Sequence, residues 1–397
     1  MSTSSTAGPG MVGGPGMVGG PGMVGGTGMV GMVGMVGMVG MVGMVGGGTS
    51  AQAIPAAASG ALIGARDGII GHPEIPQTPP QHLPFASNAN MDFWQPSIRL
   101  STVKSEILGG IAFTDDANSQ VATVSAVGGG QSRKVFSLQR PSEAQFSGQL
   151  PLIYSYADLR LDRAQEILAQ TADILTFVAQ PVSINPMRHR WTIEFLTATV
   201  LSIIAVGERM KFTMACRRPA EYASQIQPMI TTPAHSAYPS GHAVEAFAIA
   251  RILSAIISAA DAVTYPNGGQ RNWSHYMFSQ ASRVAVNRTV AGVHFPVDSV
   301  AGAVVGWSMA DYVLHRAGFL ASHRENAVEI ACDGVANLGD FDLSALEAAF
   351  NAGTSAGILN VDHQDACNFG TAPLMRRMFA RATNEWTETA ADADGDA

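Results

Sequence analysis

The five residues Tyr238-Pro239-Ser240-Gly241-His242 can do chemistry together. Pro239 bars a helix before it, Ser240 is a favoured N-cap, and the apolar run from Ala243 to Ala260 reads as a helix. A helix start presents unpaired N–H groups and the positive end of the helix dipole, which suits a small oxyanion. Ser240 adds a hydroxyl, Gly241 lets an anion approach its N–H closely, and His242 can give or take a proton from the first turn. Taken alone, the stretch reads equally well as a capped helix with a surface histidine.

Two further stretches tip that balance. Upstream, Lys211 and Arg218 stand seven residues apart in Lys211-Phe212-Thr213-Met214-Ala215-Cys216-Arg217-Arg218-Pro219. Two helical turns would point both cations the same way from a helix that Pro219 closes. Downstream runs Asn287-Arg288-Thr289-Val290-Ala291-Gly292-Val293-His294-Phe295-Pro296-Val297-Asp298. A helix carrying Arg288 is expected to end near Gly292, and a new one to start at Pro296. His294 then lies at the junction, with Asp298 close enough in sequence to orient its ring. Three cations, one helix N-terminus and two histidines make a pocket for a charged oxyanion. The competing reading is a zinc site from His235, His242, His294 and Asp298. It is disfavoured because three fixed cations would repel a metal cation.

The blocks Lys-x6-Arg-Pro, Pro-Ser-Gly-His and Arg-x5-His-x3-Asp resemble the signature shared by vanadium-dependent haloperoxidases and the type 2 phosphatidic acid phosphatase superfamily. All three blocks occur in order. One departure is Asn287, where the pattern usually has Ser. The resemblance implies two reactions for one pocket. In the first, vanadate is the resident cofactor, bonded by His294 and held by Lys211, Arg218, Ser240, Gly241 and Arg288. His242 then works as acid–base, Lys211 polarises the peroxide, and the partners are hydrogen peroxide with bromide or iodide. In the second there is no cofactor, and the substrate is a phosphate ester. His294 attacks phosphorus, Asp298 orients it, and His242 protonates the leaving group.

Bromoperoxidases carry a histidine at the place of His235, beside the anion, which favours the first reaction; the plain alternative is a loop histidine with structural contacts. Phe295-Pro296 after His294 resembles phosphatases instead. An upstream Asp pairs with a site arginine in related haloperoxidases, so Asp158 and Asp162 are candidates, although ordinary exposed helix charges are favoured.

The rest of the chain must position these blocks. Net charge is -8 over 397 residues, which argues against nucleic acid as a partner. Three widely spaced cysteines suggest no disulfide framework. No secretory signal is recognisable, so the compartment is cytoplasmic or unassigned. No membrane span is predicted, because charged residues interrupt each apolar run before about 20 residues. Association of identical copies stays open.

Residues 1–60 read as a low-complexity tail and linker, with a Met-Val-Gly repeat from Met29 to Gly46 that reads as disordered. Residues 61–150 read as an irregular or β-like arm packed on the core, 151–325 as the catalytic bundle, 326–385 as C-terminal helices and 386–397 as an acidic tail. Leu161, Ala164, Leu168, Leu175 and Val178 suggest the buried stripe of the first bundle helix. Further helices are predicted over about 187–215, 241–261, 272–291 and 296–317. The fold class expected is all-α, an antiparallel helical bundle of the acid phosphatase/vanadium haloperoxidase type with a disordered N-terminal tail.

Overall fold

The computed structural model describes residues 78–265, 273–321 and 326–394, together with 64, 65 and 68. The Met-Val-Gly repeat and the end of the acidic tail lie outside the described residues. The order begins with α1 (Pro96–Leu108), β1 (Ile111–Asp116), β2 (Val121–Gly128) and β3 (Gln131–Gln139). Then come α2 (Glu143–Tyr156), α3 (Arg160–Ala169), α4 (Leu175–Val178), α5 (Arg190–Met214) and the short α6 (Pro219–Tyr222). The central pair α7 (Gly241–Thr264) and α8 (Ser274–Val290) is followed by α9 (Pro296–Arg316). The chain ends with β4 (Asn326–Ile330), α10 (Leu343–Glu347), β5 (Leu359–His363) and α11 (Pro373–Asp394).

Helix α7 is the axis of the fold. Its residues are apolar almost all round, and from Ala243 to Ile257 all but Arg251 are buried, as a helix enclosed by others requires. It packs against α9, α8, α5 and α11. Small residues let α9 approach closely. A Cβ on Gly302 would lie 2.4 Å from the Ser240 carbonyl, and one on Gly306 would lie 2.3 Å from the Val244 carbonyl. The Ser240 amide also donates to the Asp298 carbonyl at 2.8 Å. The start of α7 and the first turn of α9 are therefore joined side by side, and this junction becomes the site.

The all-α expectation is overturned by a five-stranded mixed sheet in the order β1-β2-β3-β4-β5. β1, β2 and β3 form an antiparallel meander, β3 pairs in parallel with β4, and β4 pairs antiparallel with β5. The local part was visible in principle. Ala122, Val124 and Ala126 alternate with less buried residues along β2, the period-2 pattern of a half-buried strand. The parallel pair was not visible, because Phe136 and Val328 meet across the whole helical region. The segment read as C-terminal helices supplies β4 and β5 and one long helix, α11. The sheet packs on α9 through β3 and β4 and has no residue in the site described below.

The predicted stripe of the first bundle helix is also corrected. Leu161 and Leu168 are exposed, and the buried apolar residue of α3 is Ile167. What α3 turns toward α8 is polar: Arg163, Glu166 and Gln170 contact Asn287, Arg283 and Arg288. Arg190–Tyr222 and Gly241–Thr264 are long and apolar enough to cross a membrane, with mean hydropathy 1.4 and 1.8, and 83% of each apolar window is buried inside the fold. The three cysteines are free and buried.

Candidate active site

Lys211 comes from the last turn of α5 and is buried; its ammonium donates to the Ser236 carbonyl at 3.1 Å. Arg218 does not share that helix. α5 ends at Met214, and Ala215 turns the chain through a left-handed conformation. Arg218 follows in extended geometry as the residue before α6. The two-turn argument for aligning these cations was therefore wrong, and the turn at Ala215 brings them together instead. Their charges interact strongly enough to affect Lys211.

Arg218 is the hub of this cluster. Its Nη1 lies 2.9 Å from His294 Nε2 and donates to the Val293 carbonyl at 3.0 Å. Its Nε and Nη2 reach the His235 and Ser236 carbonyls, and Nη2 lies 3.3 Å from His235 Nδ1. A guanidinium can only donate. His294 Nε2 is therefore the acceptor, and the proton of the neutral ring sits on Nδ1. That nitrogen is 3.0 Å from Asp298 Oδ2, which also accepts the Phe295 amide at 2.9 Å. The predicted orienting role of Asp298 thus has a geometry. A carboxylate at the third position of α9 accepts from the helix cap and from the histidine in front of it.

Ser240 occupies the N-cap of α7, yet its hydroxyl makes no capping bond. Ser240 Oγ is buried without a partner, and so are His242 Nε2 and Arg288 Nε and Nη1. Beside Gly241, a Cβ would meet nothing within 4 Å. The ring of His242 bonds the Gln170 backbone carbonyl. That leaves Nε2 as a lone pair in the neutral form, able to take a proton. Arg288 is fully buried and held through Nη2 by Gln170 Oε1 at 2.9 Å. Buried polar groups are rarely left unpaired. Here three donors and one lone pair are, on elements that meet at one helix start.

The electrostatics describe a pocket short of negative charge. Burial, with Arg218 nearby, pulls Lys211 down to about 7. Burial lowers Arg218 and Arg288 to about 10 each. Burial pushes Asp298 up to about 7. His242 and His294 are both held well below the ordinary imidazole range, by burial first and then by the neighbouring cations. His242 acts on His294 electrostatically, so the two rings share this environment. An anion would relieve every one of these cationic shifts. Among the described residues no cluster of three His, Cys, Asp or Glu could hold a metal ion, so the zinc reading has no ligand set there.

His235 is half-buried at the rim, with Arg218 on one side and Glu208 4.0 Å away on the other. Asp158 and Asp162 are exposed. On the same helix Glu166, one turn beyond Asp162, pairs with Arg283, which is not one of the predicted site arginines, and accepts from Asn287.

Sequence reasoning missed this supporting layer. Asn287 donates to Gln170 and Glu166 and accepts from Arg163. Arg160 donates to the carbonyls of Ile226, Gln227 and Val290, fastening the rim loop to the end of α8. Glu245 was also missed; only its spacing of three from His242 hinted that it shares that face of α7. A cleft of about 880 Å³ lined by Trp94, Arg99, Leu175 and Trp191 contains none of the site residues. Charge rather than cavity size marks the chemistry.

Residues 191–319 match the family model described as the PAP2 superfamily. The match runs from the start of α5 past the end of α9 and contains every predicted site residue from Lys211 to Asp298. That superfamily includes phosphatases and haloperoxidases. No curated protein matches the chain.

Proposed function

We propose that this protein is a vanadate-dependent haloperoxidase that uses hydrogen peroxide to oxidise bromide or iodide to hypohalous acid. The observation that carries the reading is the set of unpartnered buried atoms around α7's first turn: Ser240 Oγ, His242 Nε2 and Arg288 Nε and Nη1. Together with Lys211, Arg218 and the lone pair on His294 Nε2, they fit a small multiply charged oxyanion. Bound vanadate would supply a Lewis acid that activates peroxide.

The chain's own residues do the rest. His294 offers Nε2 to the anion's central atom while Asp298 keeps the proton on Nδ1. Arg218 now occupies that lone pair and has to move its donor to an anion oxygen. Arg288 and Lys211 neutralise the other oxygens from fixed positions, which costs no reorganisation during turnover. His242, with its Nε2 lone pair unpartnered, would be the group that accepts and later gives up a proton during turnover. His235, next to Arg218 at the rim, supports halide oxidation over ester hydrolysis, since an imidazole there can bond an anion oxygen and alter its electron demand.

One observation favours phosphate-ester hydrolysis instead. Phe295, directly after His294, is buried against Phe146 and Tyr222, and Pro296 begins α9, so this junction adds no further polar group to the pocket. The same His294 would then be the nucleophile and His242 the acid for the leaving group.

The test loads the purified full chain with orthovanadate and supplies peroxide and bromide. Dye bromination is expected, together with altered halide oxidation in His235→Ala at undiminished vanadate content. Brisk phosphate-ester hydrolysis by the vanadate-free protein, with neither bromination nor iodination when loaded, would replace this reading by the second.

A further inference from the structure

We propose that Glu245 is a specificity-determining residue of the oxyanion pocket: when ionised it is an internal rival for Lys211 and Arg288, so oxyanion binding draws a proton onto it. This rests on the oxyanion part of the proposed function, common to both reactions, and not on the choice between them.

Glu245 lies one turn into α7 from His242, on the same face. It is 3% exposed, and its Oε2 is buried without a hydrogen-bond partner. The charged groups acting on it come from both flanking helices. Lys211 and Glu208 belong to α5, and Arg288 belongs to α8. Two turns further along α7, Arg251 is already paired with Asp311 of α9. A carboxylate serving as a structural ion pair would hold one of those cations. Lys211 instead donates to the Ser236 carbonyl, and Arg288 leaves Nε and Nη1 open.

Burial, reinforced by the like charge of Glu208, pushes Glu245 up to about 8. At neutral pH it therefore holds its proton and leaves both cations to an incoming anion. Above that range the carboxylate offsets Arg288 and whatever charge Lys211 retains, and repels the anion. Binding then requires the carboxylate to take one proton from solvent and become the neutral acid, beside the proton that Lys211 takes up in wild type and variant alike. The ligand class is a small oxyanion such as phosphate or vanadate, and the preference is for pH below Glu245's own titration.

The experiment is calorimetric titration of inorganic phosphate into the full chain between pH 7 and pH 9, in two buffers of different ionisation enthalpy. Only the protonated fraction of Glu245 is competent, so wild-type affinity should fall ~10-fold more than that of Glu245→Gln over this range. Proton uptake per phosphate at pH 9 should be about one lower in the variant than in wild type. Identical pH dependence and identical uptake would overturn the inference while leaving the oxyanion site intact. Failure of the wild type to bind phosphate or vanadate at any pH would remove the proposed function and this inference together.

If Glu245→Gln does not fold, infrared spectroscopy of the wild type decides. A protonated-carboxyl carbonyl band should persist at pH 7.5 and disappear by pH 9.5, and its absence at pH 7.5 overturns the inference.

Discussion

The Arg218 guanidinium donates to His294 Nε2 across 2.9 Å, in the position where an anion's central atom would bond. This contact sets the tautomer of His294 and ties up its lone pair. On the proposed function, an oxyanion bonded at Nε2 would separate Arg218 from His294 and give each a new partner.

His294→Ala should abolish turnover of either reaction, because it removes the imidazole proposed to bond the central atom. Asp298→Asn should leave the ring in place but unsettle its tautomer, lowering kcat by ~10–100-fold. Steady-state kinetics on both variants, with circular dichroism to confirm folding, check this. Near-wild-type turnover by His294→Ala would remove the site assignment.

Arg288 should matter through charge, and Gln170 through aim. Arg288→Ala removes a cation that is fully buried and should weaken oxyanion binding by about 1.5–3 kcal/mol. Gln170→Ala removes the Oε1 that holds both Arg288 and Asn287 and should cost about 1 kcal/mol of binding. Phosphate titration of the two variants measures the difference. Equal affinity in Gln170→Ala and wild type would show that Arg288 needs no such support.

Gly302→Ala should damage the site from behind. Its Cβ would stand 2.4 Å from the Ser240 carbonyl and 2.8 Å from the Ala243 Cβ. Overpacking of this kind costs about 1–3 kcal/mol, and relief requires α7's first turn to shift. Lower thermal stability and weaker phosphate binding should appear together. Gly148→Ala, in the exposed face of α2 with nothing within 4 Å, should instead stabilise by about 0.5–1 kcal/mol. Thermal unfolding of both variants tests the contrast.

Phosphate should raise Tm more at pH 6 than at pH 9. Burial, with Arg218 nearby, holds Lys211 down to about 7, so it loses its charge as pH rises through that value. An anion favours the charged form, so its stabilisation is complete below about 7 and shrinks above it. Without anion the sign reverses. The unfolded chain binds more protons on Lys211 between about 7 and the ordinary lysine value, so this group makes stability rise with pH there. A phosphate-induced shift that is flat with pH would contradict the charge state assigned to Lys211.

A chain starting at residue 51 should retain turnover. Every residue placed in the site or its support lies from Arg160 onward. Loss of activity in a truncated protein that unfolds normally would assign the Met-Val-Gly repeat a role.

The sequence by itself determined the chemical inventory and its local geometry. Pro239 and Ser240 announce the start of α7, Gly292 and Pro296 separate α8 from α9, and Asp298 stands four residues from His294. These relations operate within one or two turns, where chain stereochemistry dictates what meets. Tertiary structure decided everything that depends on which distant surfaces pack.

Arg218 reaches His294 because Ala215 adopts a left-handed turn that no spacing rule predicted. The polar face of α3 became the support of Arg288, although its leucines looked like the buried side. Glu245 reads in sequence as an ordinary helix charge, and only the closing of α5 and α8 around α7 removes it from water. The sheet is the limiting case. β3 pairs locally with β2, and β4 with β5, but nothing in either stretch of chain shows that β3 and β4 meet each other. Their parallel pairing depends on how the helical region between them packs, since both strands lie against α9.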